Sequence, residues 1–140
     1  VVIIMAMIKS SGIFRYSPQL LGEGCSVNWW LVIDADPGIG QLYRALYKLQ
    51  AFNCNQLLRP AWAEHVSVIR NEEPLDHKKN LWKKYDGESI EFAYEPIVKD
   101  NGKHFWLPVQ CERALDIRME LGLSRHPEYY LHLTIGNAPV

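Results

Sequence analysis

HVSVI (residues 65–69) and HLTIG (residues 132–136) write one pattern twice: a histidine, an apolar residue, a small hydroxyl and a second apolar residue. In an extended strand successive side chains alternate between faces. His65 and Ser67 then share one face, as do His132 and Thr134, while Val66, Val68, Leu133 and Ile135 turn to the other. Each stretch therefore predicts a strand with a buried side and a side carrying an imidazole and a hydroxyl. The fold turns on whether the two polar sides meet.

Outward from these strands, the surroundings are alike. NWWLVIDA, 28–35, is aromatic and β-branched and reads as a strand. Asp36 follows as a helix N-cap with Pro37 at the first helical position. Ile39, Leu42, Leu46 and Leu49 then stand at helical spacing and predict a helix of about 37–52 with that apolar face. In the second half, KHFWLPVQC, 103–111, predicts a strand and CERALDIRMELGL a helix over 111–122, with Ala114, Ile117, Met119 and Leu121 on its apolar side and Gly122 near its end. Strand, helix and histidine strand thus recur, with WWLVI answered by FWLPV. The expected fold is α+β, one domain spanning 1–140 in which two pseudo-symmetric strand–helix–strand lobes, about 28–69 and 89–136, set antiparallel sheets around a central cleft. Between the lobes, Leu75, Leu81 and Trp82 give the stretch after the first motif the apolar side of a short helix. SIEFAYEPIV, 89–98, and the strand from 103 flank KDNG, a strong hairpin signal. A short strand over 12–16 precedes a Pro- and Gly-marked loop.

Composition limits the functions available. The chain has 140 residues, 48% hydrophobic and 22% charged, enough for one domain with a real core. Its net charge of −1 gives no global basic field for polynucleotides, so any nucleotide chemistry rests on a local site. Cys25, Cys54 and Cys111 are odd in number, widely spaced and without a C-x-x-C, which suggests reduced thiols in the cytoplasm. The opening VVIIMAMI is too short to span a membrane and has no basic leader. It reads as an edge strand, or as residues upstream of a start at Met5 or Met7.

Two imidazoles and two hydroxyls suit phosphodiester cleavage. A neutral imidazole takes a proton from the attacking hydroxyl or water, and a protonated one gives a proton to the leaving oxygen. Ser67 and Thr134 would donate to the non-bridging oxygens as their charge grows. A metal site is the competing reading, but neither motif has a neighbouring acidic ligand at helical spacing, so no cofactor is expected. Tyr16, Trp62, Trp82, Trp106 and Tyr129 are candidates to stack on a base. Tyr16, before a Ser-Pro loop, and Trp106, in the second entering strand, are singled out as substrate-binding. Lys78, Lys79, Lys83 and Lys84 read as a solvated face, and His77, His104 and His126 lack a hydroxyl two residues on.

The paired H-x-[ST]-apolar motifs on two matching units resemble the 2H phosphoesterase superfamily, over about Gly12 to Gly136. The resemblance implies that His65 and His132 are catalytic, with Ser67 and Thr134 as phosphate-binding hydroxyls. Within that superfamily, FRYSPQLL, the short length and the ending YYLHLTIGN are similar to phage enzymes that oppose the CBASS defence. That likeness implies metal-independent cleavage of a 3′–5′ bond in a small cyclic oligonucleotide, with a ribose 2′-hydroxyl attacking to give a 2′,3′-cyclic phosphate. The alternatives are an RNA 2′,3′-cyclic phosphodiesterase and a noncatalytic sponge for cyclic nucleotides. No extended nucleic acid and no membrane is expected as partner.

Overall fold

In chain order the elements are β1 (Ile8–Tyr16), β2 (Leu31–Ala35), α1 (Pro37–Gln50), β3 (His65–Ile69), a 3-10 turn (Asp76–Leu81), β4 (Ser89–Tyr94), β5 (Lys99–Asp100), β6 (His104–Gln110), α2 (Glu112–Glu120) and β7 (His132–Asn137). They come from a computed structural model that describes residues 6–17, 27–50, 57–60 and 63–139. Most of VVIIMAMI and the last two residues of the expected first helix lie outside the described residues.

The fold is α+β. One sheet runs in the order β4-β1-β2-β3-β7-β6-β5, antiparallel throughout. β4 also pairs with β6, through Ala93 with Gln110 and Tyr94 with Val109, so the sheet closes into a small barrel. The two histidine strands are neighbours in that sheet, joined where Val66 faces Leu133. The two units therefore share one sheet rather than holding a sheet each. The KDNG hairpin forms as β5 folding on β6, with Lys99 opposite Trp106 and Gly102 at φ +87° in its turn.

Alternation decides which face is apolar. Val66, Leu133 and Ile135 are wholly buried, as are Leu31, Ile33 and Leu107 beside them, and Phe14 is all but buried. They join one core with Ile39 and Tyr43 of α1 and Ala114, Ile117 and Leu121 of α2. Both helices thus cover the apolar face and leave the histidine face opposite.

The helices depart from the pattern expected of them. Asp36 caps α1, its Oδ1 accepting from the Gly38 N–H at 2.8 Å. Leu42, Leu46 and Leu49, however, are exposed. The stripe packed on the core is buried Ile39 and Tyr43 with partly buried Tyr47, where Tyr43 meets Tyr94 edge-on at 5.9 Å and Tyr47 meets Phe105 at 5.0 Å. Two apolar stripes share this helix, and the one with two aromatic rings buries the greater area and gains edge-to-face contacts. On α2, Met119 is exposed and Arg118 wholly buried in its place. Gly122 ends that helix at φ +81°, where a side chain would also run into Leu75.

Candidate active site

Strand register brings the two motifs together. With Val66 opposite Leu133, the antiparallel ladder sets His65 across from Thr134 and Ser67 across from His132, all four on the face away from the core. Each histidine therefore lies beside the hydroxyl of the other motif. Opposite residues in such a pair lie about 4.5–5.5 Å apart and diagonal ones about 7–8 Å, so the two histidines stand on one diagonal of this grid and the two hydroxyls on the other. The outer strands extend the grid: Asp34 flanks His65, Val32 flanks Ser67, Pro108 flanks His132 and Trp106 flanks Thr134.

Both rings are held the same way. His65 Nδ1 lies 2.8 Å from the Ala63 carbonyl oxygen, and His132 Nδ1 lies 2.9 Å from that of Tyr130. A carbonyl only accepts, so each Nδ1 carries the proton and each Nε2 faces outward as a lone pair or, when protonated, as a donor. In both cases the carbonyl belongs to the residue two positions earlier, just before the strand begins. Burial holds His65 below the usual imidazole value. The Ala63 carbonyl and the Asp34 carboxylate oppose that shift, while Arg70 and His132 add to it. His65 is thus neutral at neutral pH.

The aromatic surroundings differ between the two motifs. Trp30 is buried, donates from Nε1 to Ser67 Oγ at 3.1 Å and meets the His65 ring edge-on at 5.6 Å. Because the indole occupies an acceptor position on Ser67, the hydroxyl proton is left free to donate elsewhere. The Arg70 guanidinium lies 5.6 Å above the same indole, and Arg15 pairs with Asp34 next to His65. Around His132 stand Trp106, at 6.1 Å, and Tyr130, at 6.3 Å, joined by a 2.8 Å bond from Trp106 Nε1 to the Tyr130 hydroxyl. The first motif therefore has cations at its edge, and the second an aromatic pair open to solvent.

Of the six residues singled out from sequence, five share this face: His65, Ser67, His132, Thr134 and Trp106. Tyr16 does not. It is a core residue, buried beside Phe14 with its ring edge-on to Trp82 at 4.9 Å, and burial pushes its phenol up to about 12. Its parity on β1 decides this, since Phe14 and Tyr16 face the core while Ile13 and Arg15 face out. Trp82 is committed to Tyr16 and Trp29, and Trp62 lies outside the described residues. Lys79 pairs with Glu73 and Asp76, and Lys84 with Glu120, away from the histidines.

Sequence reasoning missed Trp30, Tyr130, Asp34, Arg15 and Arg70. The match of WWLVI to FWLPV pointed to Trp30 but placed it two positions out of register. Equivalent irregularities fall between Leu31 and Val32 and between Phe105 and Trp106, so Val32 is the counterpart of Trp106. A shift of two keeps the same face, which is why both indoles still reach the site.

A cavity of about 410 Å³ opens at the end of β6 and just before the start of β7, lined by Gln110, Cys111, His126 and Tyr130 among others, and contains neither motif. Among the described residues no group of three or more His, Cys, Asp or Glu side chains gathers as a metal site requires. No helix among them is long and apolar enough to cross a membrane. Comparison with family models, with curated proteins and with solved structures finds no match for this chain.

Proposed function

We propose that this chain is a phosphodiesterase of the 2H type that opens 3′–5′ bonds in small cyclic oligonucleotide messengers, as phage enzymes that counter CBASS signalling do. The observation that carries the reading is the crossed register of the two motifs, which sets each histidine beside the other motif's hydroxyl across the β3–β7 seam. In this reading the strand–helix–strand units are two pseudo-symmetric lobes and the seam is the floor of their shared cleft.

A phosphate seated on the diagonal meets an Nε2 from each side. His65, neutral, takes the proton of the ribose 2′-hydroxyl as that oxygen bonds to phosphorus. The bond from phosphorus to the 5′-oxygen breaks, and His132 Nε2–H protonates the leaving oxygen. The products are a 2′,3′-cyclic phosphate end and a 5′-hydroxyl, with atoms and charge balanced and each histidine carrying the proton state the other began with. Ser67 and Thr134 donate to the two non-bridging oxygens. The imidazoles move the protons and the hydroxyls meet the charge, so the scheme calls for no metal. Trp106 and Tyr130 offer a stacking surface for a base beside His132, and Arg70 and Arg15 offer cations for a neighbouring phosphate beside His65. Such messengers are made and read in the cytoplasm, and the reading places the chain there.

Chromatography of products from cyclic dinucleotides, cyclic trinucleotides and RNA ends bearing a 2′,3′-cyclic phosphate tests this. Linearised cyclic oligonucleotide supports the reading. Turnover confined to RNA ends would replace it with an RNA cyclic phosphodiesterase, and ligand bound but recovered intact would replace it with a sponge.

A further inference from the structure

The seam that holds both motifs is itself thinly paired. β3 and β7 share a single registered position, Val66 with Leu133, whereas each pairs along its length with its outer neighbour. What else fixes it comes from the helices, and it crosses over. Arg44 of α1, in the first half, donates from Nη1 to the Ile135 carbonyl of β7 at 2.8 Å and to Glu64 Oε1 at 2.9 Å. Arg118 of α2, in the second half, donates from Nη1 to the Val68 carbonyl of β3 at 2.8 Å. It also grips Glu72 with both Nη groups at 2.7 Å and donates from Nε to Ser124 O at 2.9 Å. Val68 and Ile135 hold the same place in the two motifs, directly after Ser67 and Thr134. Each arginine therefore binds the backbone of the other half's motif, one residue past the hydroxyl.

Stability alone does not call for this arrangement. Arg118 is wholly buried and Glu64 is 1% exposed. Buried ion pairs are costly to desolvate and are often replaced by apolar side chains without loss. What they contribute here is register. A slip of one residue by either strand would carry that strand's histidine and hydroxyl to the core face and break the site. We propose that Arg44 and Arg118 are positioning residues, a crossed pair of straps that lock the β3–β7 seam so that His65 and His132 stay on one diagonal. The kinetic part of this rests on the phosphodiesterase reading; the structural part does not.

In the full-length chain Arg118→Lys keeps the charge but loses the fork that holds Glu72 and the Val68 carbonyl together, and Arg44→Lys keeps the charge but not the planar Nη1 that reaches both Glu64 and the Ile135 carbonyl. Glu72→Gln is milder, since Glu72 is partly exposed, and serves if the lysine variants do not fold. Amide hydrogen exchange reads the seam without substrate. Protection is expected to fall about tenfold or more on β3 and β7 while the long β1–β4 pairing keeps its wild-type rates. With a cyclic dinucleotide, kcat is expected to fall by up to about a hundredfold with KM little changed, as for a small misplacement of catalytic groups. Equal loss of protection on every strand, or none at the seam, would overturn the proposal. If wild type cleaves nothing, the functional reading fails and the exchange result still decides the straps.

Discussion

His65 and His132 differ in setting although they sit at equivalent positions. His65 lies next to buried Trp30, and burial keeps it deprotonated below its ordinary pKa, which suits the proton acceptor. The acid limb of the rate is therefore expected below pH 6.5, the ordinary value, and an NMR titration of the His65 ring should place its midpoint there too. The same shift carries a sign for stability. Between the folded value and 6.5 the unfolded chain takes up the proton more readily, so stability falls as pH drops through that window. Urea unfolding across it should show the slope, and His65→Gln should flatten it; an unchanged slope would mean that another group is responsible. Trp30→Phe keeps a ring beside His65 but removes the donor to Ser67, a loss of about 0.5–1.5 kcal/mol, or roughly tenfold in rate at most. At this scale the four motif residues were legible because alternation along a strand needs no tertiary information. Trp30 was not, because Trp29 before it takes a left-handed backbone, φ 52°, a rare conformation for so bulky a residue.

Helix α1 shows where periodicity stops being enough. Both Ile39-Leu42-Leu46-Leu49 and Ile39-Tyr43-Tyr47 satisfy helical spacing, and only the rings waiting on β4 and β6 choose between them. Leu46→Lys should accordingly change stability by no more than about 0.5 kcal/mol. Tyr43→Ala should cost about 3 kcal/mol or more. The reverse order in urea unfolding would restore the leucine face to the core. The same helix carries Gly40, where a side chain would collide with Glu64 and come 2.7 Å from Arg44 Nη1. Gly40→Ala should therefore loosen the β3–β7 seam as Arg44→Lys does, read by amide exchange on those two strands. Nothing in the sequence marked Arg118 as buried: a charged residue among Ile117, Met119 and Leu121 reads as surface until Val68 and Glu72, from another element, are placed against it.

For the molecule as a whole, the repeat of strand, helix and histidine strand was visible in order alone, and with it the α+β class. That the strands close into one sheet was not, since β1 and β4 meet through pairs such as Gly12 with Ile90 that no local signal links. Within that sheet β3 and β7 lie side by side, and the central claim is that they form one site. Single-turnover cleavage of a cyclic oligonucleotide by His65→Ala, His132→Ala and the double variant measures this most directly. Each single change should slow the reaction by about 10²–10⁴-fold, the usual worth of a positioned acid or base. Since acid and base act in one step, the double variant should be little slower than the worse single variant. Full multiplication of the two losses, or a wild-type rate in either single variant, would contradict it.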